Sequence, residues 1–353
     1  MFGISIYLNE DIGQKQKEYM ETAKQHGFNW IFTSLHIPED DSSALRSRFE
    51  QLAQAAKGAG MELFADVSPI SLERIGLSMD RAEELADWGV AGLRMDYGIA
   101  CSQIAVLSKK MKVALNASTL TQLEYEEIVS SGANMDHIEA WHNFYPRPET
   151  GLGKEYIQEK NKWLTSIGLG TMAFVPGDSD KRGPLFQGLP TLEKHRGSTP
   201  FAAALELIRE LHTQKVLIGD PCLSKWAFQQ FKQFKENSCI PLRAKGFADT
   251  ALYEGIQTNR PDPARDCIRS VESRGFAQMG SAAVEPFHTE ARPKGSVTVD
   301  NKRYLRYAGE MQIVLKDFPA NEKVNVIGRV IAADLELLRF VGPRGRFLIV
   351  WNE

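Results

Sequence analysis

Eight short apolar runs alternate with segments of helical spacing through the first two-thirds of the chain. This alternation constrains the fold more than any other feature. The runs are Phe2–Leu8, Trp30–Ile37, Glu62–Ser68, Gly92–Tyr97, Lys112–Ser118, Met135–His142, Leu169–Val175 and Lys215–Gly219. They are rich in Ile, Val, Leu and Phe, and they are short, as strands buried on both faces of a parallel sheet are. Between them, Ile12 to Gln25 follows the capping candidates Asn9 and Asp11. Ser42 to Lys57 lines up Leu45, Phe49, Leu52 and Ala56 before Gly58 and Gly60 stop it, and Glu155 to Leu164 and Ser224 to Phe234 behave likewise. Eight strand–helix units in about 240 residues predict an α/β fold of the TIM (β/α)8 barrel type, whose usual size is about 250 residues. An open doubly wound sheet would want a glycine-rich first turn, and the turn here is Tyr7-Leu8-Asn9-Glu10-Asp11. Neither G-x-G-x-x-G nor G-x-x-x-x-G-K-[ST] occurs.

The pattern changes after Asn237, and 353 residues suit two domains. The expected division is a barrel over 1–238 and a smaller β-domain over 239–353. Ser238 to Asp266, with Pro241, Pro261 and Pro263, reads as irregular chain holding one strand. Strands are expected at Ser296–Val299, Tyr304–Leu315, Val324–Ile331 and Phe347–Trp351, with a short helix at Asp334–Leu338.

Charge and cysteine usage narrow the function classes. Forty-two basic residues against 45 acidic ones leave a net charge of -3, without the broad basic face a nucleic-acid binder needs. The uncharged run Leu164–Gly177 falls short of the roughly 18 residues of a membrane span and contains Gly168, Gly170 and Pro176. The opening Met1-Phe2-Gly3-Ile4-Ser5 has no basic region before its apolar residues, unlike a signal peptide. Cys101, Cys222, Cys239 and Cys267 form no C-x-x-C pair and are expected as reduced thiols. A cytoplasmic protein with neither nucleic-acid nor membrane partners follows as the expectation, with homo-oligomerisation left open.

In a barrel enzyme, reactive side chains sit at the C-terminal ends of strands and on the loops beyond. Alternation along each strand then groups Ser5 with Tyr7, Asp66 with Ser68, Arg94 with Asp96, and Asn116 with Ser118. Glu139 is followed by Trp141, His142 and Asn143. Charged groups facing the helices would be costly, so these are expected to line the polar mouth. The sixth loop adds Tyr145, Arg147 and Glu149 around its two prolines, and the long segment Gly177–Thr199 adds Arg182, Lys194, His195 and Arg196. No strand ends in a lysine suited to a Schiff base, since Lys112 and Lys215 stand at the opposite ends, and the first strand lacks H-x-H. No metal and no cofactor are therefore expected. A cup of carboxylates, amides and arginine suits a polyhydroxylated or anionic ligand and general acid–base chemistry.

Longer motifs sharpen this. Gly3-Ile4-Ser5-Ile6-Tyr7-Leu8, Arg94-Met95-Asp96-Tyr97-Gly98 and Asn116-Ala117-Ser118-Thr119 occur together with two loop signatures, His142-Asn143-Phe144-Tyr145-Pro146-Arg147-Pro148-Glu149-Thr150-Gly151-Leu152 and Gly188-Leu189-Pro190-Thr191-Leu192-Glu193-Lys194-His195-Arg196. With Arg292-Pro293-Lys294-Gly295 and Tyr304-Leu305-Arg306-Tyr307-Ala308-Gly309-Glu310, the chain resembles the MupG family of bacterial 6-phospho-N-acetylmuramidases over almost its whole length. The resemblance implies a TIM barrel followed by a cyclophilin-like β-domain. It also implies a cytoplasmic glycosidase that hydrolyses the disaccharide of 6-phospho-N-acetylmuramic acid and N-acetylglucosamine in peptidoglycan recycling. Cyclophilin-like describes the fold only, not an isomerase activity.

Glycoside hydrolysis calls for two carboxyl groups. Asp96 and Glu139 are the first choice by strand position, followed by Glu149 and Asp66. Arg94 beside Asp96 would keep it ionised and leave Glu139 as the acid. Arg147, Arg182, Lys194, His195 and Arg196 are candidates for the phosphate and the lactyl carboxylate. Tyr145, Phe144 and Trp141 are candidate sugar platforms, and Tyr7, Asn116, His142 and Asn143 candidate hydrogen-bonding groups. Two other classes use the same features: a sugar-phosphate isomerase or lyase, and a non-enzymatic phosphosugar-binding protein.

Overall fold

A computed structural model describes residues 1–36, 42–247, 253–273 and 284–352. Strands β1 (Phe2–Ser5), β2 (Phe28–Ser34), β3 (Glu62–Val67), β4 (Val90–Met95), β5 (Lys112–Asn116), β6 (Ile138–Trp141), β7 (Gly170–Val175) and β8 (Lys215–Ile218) pair in sequence order. β1 closes the ring in parallel against β8, through Phe2↔Val216 to Ile4↔Ile218. Helices α1 (Gln14–Gln25), α2 (Ser42–Gly58), α3 (Pro69–Arg74), α4 (Cys101–Ser108), α5 (Gln122–Ser130), α6 (Lys154–Ser166), α7 (Pro200–Glu210) and α8 (Lys225–Asn237) alternate with them. This is the expected (β/α)8 barrel, with α3 reduced to six residues and followed by a 3₁₀ segment at Met79–Ala86.

Every strand but β4, which is shifted by two residues, is shorter than its apolar run, and the differences move side chains between layers. A 3₁₀ turn at Met135–His137 takes the start of the sixth run, so β6 begins only at Ile138. α1 begins after Gly13, whose N–H donates to the Gln16 side chain at 3.0 Å, and not at Ile12 behind Asn9 and Asp11. Ile37, expected at the end of the second strand, lies outside the described residues.

Side chains alternate as strand geometry demands. Trp30, Phe32, Phe64, Ala114, Trp141, Met172, Phe174 and Leu217 pack together as the buried filling of the lumen. Gly92 makes room for this filling, because a Cβ there would lie 2.4 Å from the Phe64 ring, which stacks on Trp141 with centroids 4.6 Å apart. A close-packed interior leaves no space for that carbon.

Contacts divide the chain into two compact units, Met1–Phe228 and Gln229–Glu353. The second is a nearly closed, barrel-like sheet of seven strands: β9 (Cys239–Gly246), β10 (Ile256–Thr258), β11 (Cys267–Arg269), β12 (Ser296–Asp300), β13 (Met311–Val314), β14 (Val324–Val330) and β15 (Arg346–Asn352). Their order is β10-β15-β9-β14-β12-β13-β11. Within Ser238–Asp266, expected to hold one strand, the described residues form two. Pro241 is accommodated in β9 because β14 pairs only with Ala244, Lys245 and Gly246, so the proline faces β15 alone. The expected strand Tyr304–Leu315 is instead a 3₁₀ segment at Lys302–Tyr307, kinked at Leu305 with φ 55°, and then the short β13. The expected helix at Asp334–Leu338 is a 3₁₀ segment, Ala332–Phe340, tied to β9 by Arg243 and the buried Asp334 at 2.7 Å.

Candidate active site

Beyond the aromatic filling, toward the C-terminal strand ends, lumen-facing positions turn polar. Arg94 near the end of β4 is almost fully buried, and its Nη1 donates to Asp66 Oδ1 of β3 at 2.6 Å and to Asp96 Oδ1 at 3.4 Å. Its Nη2 donates to Asn143 Oδ1, on the loop after β6. Ser34 Oγ at the end of β2 lies 3.5 Å from the other Asp66 oxygen. Asn116, which ends β5, directs Nδ2 at Asp96 Oδ1 at 3.5 Å and receives the Ser118 N–H on Oδ1. Asp96 is thus held by two long contacts, and its side chain keeps 25% of its exposure against 10% for Asp66. Burial pushes the Asp66 carboxyl up, with Arg94 and His36 opposing the rise and Asp96 adding to it.

Ser34, Asp66, Arg94, Asp96 and Asn143 line a cavity of about 480 Å³, within the range of small-molecule sites, together with Phe32, Phe144, Phe174 and the segment Arg182–Leu185, whereas Asn116 lies behind Asp96 and does not line it. His36, two residues past β2, also lines it. Sequence reasoning missed this residue. Its one available signal was its position at the end of a strand run.

The same cavity carries a second cation, Arg182. The Arg182 guanidinium lies 4.2 Å from the centre of the Tyr7 ring and makes no ion pair within 4.0 Å among the described residues. Tyr7 donates to the Gly219 carbonyl at 2.5 Å, and burial pushes its phenol up to about 12, so it stays a neutral platform. The Arg182 backbone is fixed by Asp220, a second residue that sequence reasoning missed. Fully buried beyond β8, Asp220 accepts the N–H groups of Gly177 at 2.9 Å, Arg182 at 3.1 Å and Leu189 at 3.2 Å. Gly219 lets this loop approach, since a Cβ there would lie 2.3 Å from the Leu189 carbonyl oxygen.

Other candidates do not reach the cavity. Glu139 is the second residue of β6, level with Gly170 at the start of β7. Both its oxygens bind Nζ of Lys215, at 2.5 and 2.7 Å, and Trp141 Nε1 donates to it at 2.8 Å. Lys215 opens β8, so this cluster plugs the N-terminal end of the barrel. The expected convergence of Glu139 with Arg94 and Asp96 does not occur, and Trp141 is lumen filling, not a sugar platform. His142 points between strand and helix: Nε2 meets Asn161 Oδ1 at 2.8 Å and Nδ1 meets Ser118 Oγ at 3.2 Å. Burial lowers its pKa to about 4.

The basic run after β7 is likewise engaged. Lys194 and His195 bind the buried Glu206 at 2.6 and 3.0 Å. Burial pushes that carboxyl up, but hydrogen bonds from His195, Lys194 and Lys154 outweigh it and leave Glu206 well below the usual range. Arg196 forks onto Glu193 at 2.6 and 2.7 Å and caps the carbonyls of Gly188 and Tyr145, so it latches the two long loops together. Hydrogen bonds from Arg196, foremost, and from the Glu149 and Gly151 amides lower Glu193 to about 2. Glu149 and Arg147 are exposed on this latch, and Tyr145 is bonded through its amide to Pro190. None of the three lines the cavity.

Among the described residues, one trio has donors close enough for a metal: a ring nitrogen of His36 and one oxygen each of Asp66 and Asp96, all within 4.8 Å. Arg94 lies against both carboxylates and already supplies the positive charge there, so the donor set fits a sugar or a proton better than a second cation. No helix among the described residues is long and apolar enough to cross a membrane.

A family model described as 6-phospho-N-acetylmuramidase, N-terminal, matches residues 2–233, and its C-terminal counterpart matches residues 243–350. A comparison with curated proteins finds no match. The chain is similar to a conserved Enterococcus faecalis protein of unknown function, at 43% identity and a TM-score of 0.90, over 100% of this chain and 96% of that one. It is also similar to an uncharacterised B. cereus protein, at 27% identity and a TM-score of 0.77, over 99% of both chains.

Proposed function

The chain belongs to the 6-phospho-N-acetylmuramidase family, and from that premise we propose that it is a cytoplasmic glycoside hydrolase. Its substrate is the disaccharide of 6-phospho-N-acetylmuramic acid and N-acetylglucosamine, split during recycling of peptidoglycan. The seven-stranded unit is, on the same reading, the cyclophilin-like domain of the family.

One observation carries the reading: two carboxylates bridged by a buried arginine line the same cavity as an arginine free of any ion pair among the described residues. Asp66 takes the place given to Glu139. Raised by burial, it is the group suited to hold a proton and assist the leaving sugar. Asp96, more exposed and loosely held, is suited to face the anomeric carbon as a carboxylate. One oxygen of Asp66 and one of Asp96 lie within 4.8 Å of each other. On this reading the anomeric carbon is attacked by Asp96 or by the substrate's own acetamido group, either of which gives retention of configuration. Arg182, half-buried on an aromatic ring, is placed to pair with the 6-phosphate.

The test is incubation with the phosphorylated disaccharide in oxygen-18 water, followed by mass spectrometry. Hydrolysis puts the label in the muramic acid product, whereas an isomerase or lyase incorporates none by this route. Arg182→Ala is expected to raise KM for the phosphorylated disaccharide by about 10–100-fold, as loss of a charge-assisted bond does. It should leave the unphosphorylated disaccharide, a poor substrate, nearly unchanged. Equal turnover of both disaccharides by the unsubstituted protein would remove the phosphate from the reading.

A further inference from the structure

Two histidine–serine pairs stand at the C-terminal end of the barrel, and one is complete. In the first, Asn161 Oδ1 accepts from Nε2 of His142 because the Asn161 amide nitrogen is used elsewhere, so Ser118 Oγ, which receives the Asn143 N–H at 3.1 Å, donates to Nδ1, 3.2 Å away. The ring proton then sits on Nε2 and is donated to Asn161 Oδ1. In the second, Ser68 caps α3 by receiving the Ser71 N–H at 3.3 Å, and His36 Nδ1 lies 3.3 Å from its Oγ. With the Ser68 hydroxyl donating to Nδ1 in the same way, the proton of His36 sits on Nε2. Yet this nitrogen is buried and has no hydrogen-bond partner among the described residues.

Buried donors are seldom left unpaired, and an orphan in a cavity wall marks the place of a missing acceptor. The cavity around His36 also holds the Asp96 carboxylate, whose oxygens accept. A ring nitrogen of His36 and an oxygen each of Asp66 and Asp96 lie within 4.8 Å of one another. A single oxygen atom about 2.8 Å from each neighbour spans such a gap. A sugar hydroxyl meets both demands, because it accepts from Nε2–H and donates to a carboxylate. Tyr97, whose ring lies 5.7 Å from the imidazole and is inclined to it by 33°, holds the ring from the solvent side.

We propose that His36 is a further substrate-binding residue, donating Nε2–H to a sugar hydroxyl that is shared with the Asp66–Asp96 pair. The hydroxyl-binding chemistry is read from the cavity itself. Only the identity of the sugar rests on the glycosidase reading.

The test has two arms. Nitrogen-15 spectra of histidine-labelled full-length protein report the tautomer directly. The expected result is a protonated Nε2 and a bare Nδ1 on His36, with the Nε2 signal moving when 6-phospho-N-acetylmuramic acid or N-acetylglucosamine is titrated in. A proton on Nδ1, or an unmoved signal alongside bound sugar, overturns the proposal. In the kinetic arm, His36→Ala lowers kcat/KM for the phosphorylated disaccharide by about 10–100-fold, and His36→Gln, which keeps an N–H donor, restores most of it. Wild-type rates in His36→Ala overturn the proposal, as does a loss that tracks a lowered melting temperature and is not rescued by glutamine. A His36 signal that moves with sugar in a protein that does not cleave the disaccharide retires the glycosidase reading and keeps the binding residue.

Discussion

The two ends of the barrel lumen are built from the same residue types and finished differently. At the N-terminal end Glu139 and Lys215 close on each other, Trp141 donates to the carboxylate, and the ammonium lies 4.5 Å from the centre of the Trp30 ring. Beside them Glu62 pairs with Lys112 at 2.7 Å and receives the Trp30 N–H. At the C-terminal end Arg94 also pairs with carboxylates, but a cavity opens over them, and both Arg94 Nε and His36 Nε2 remain without partners among the described residues. A charged residue inside a barrel strand therefore does not by itself mark a site. A closed set of partners describes a plug, and an open set describes a place for a ligand.

This contrast breaks most readily by exchanging charge at each end. Asp96→Asn is expected to lower kcat by about 10²–10⁴-fold, the usual loss for a general acid–base or nucleophilic group, while the melting temperature holds. Turnover near wild type would place the chemistry elsewhere. Glu139→Gln is expected to do the reverse. Removing one partner of a largely buried pair strands Lys215 and lowers stability by about 3 kcal/mol, measured by denaturant unfolding, with kcat per folded molecule unchanged. Loss of activity without loss of stability would reverse the assignment of the two ends.

The faces of the strands were legible in the sequence, and the layers were not. Period-two alternation places Asp66, Arg94, Asp96 and Asn116 in the lumen, because charge in a helix-facing position has no partner there. Height along the strand depends on where the strand starts. The sixth run reads as Met135–His142, which makes Glu139 its fifth residue. The turn at Met135–His137 makes Glu139 the second residue and lowers it to the plug. Lys194, His195 and Arg196 looked like free charge because their partner Glu206 lies in the following helix and Glu193 is shared with backbone amides from another loop. Asp220 and His36 have the opposite character: each is a single residue with no local motif, and its meaning comes from groups far along the chain.

The same distinction extends to satisfied groups near the rim, where pH is the probe. His142 has a pKa of about 4 in the fold and about 6.5 when unfolded, so the unfolded chain binds the extra proton between these values. Stability is full above pH 6.5 and falls as pH drops toward 4, by roughly 3 kcal/mol for this group. His142→Gln, with an amide in place of the imidazole, flattens the acid limb of a stability–pH curve over that window. An unaltered limb in the variant would mean that His142 is not buried in its neutral form.

The smallest effect separates the two cations once grouped together. Lys194 lies on the loop that also carries Arg182, but its ammonium already contacts Glu206, which His195 and Lys154 continue to hold when Lys194 is removed. Lys194→Ala is therefore expected to lower stability by about 1 kcal/mol or less and to leave KM for the phosphorylated disaccharide within about twofold of wild type. Arg182, stacked on Tyr7 and unpaired among the described residues, is where the phosphate dependence should reside. If Lys194→Ala raised KM as much as Arg182→Ala, the Glu206 pair would have to open when substrate binds. The rule that closed partner sets are structural would then fail at the rim while still holding at the plug, where aromatic rings surround the charges and leave them nowhere to turn.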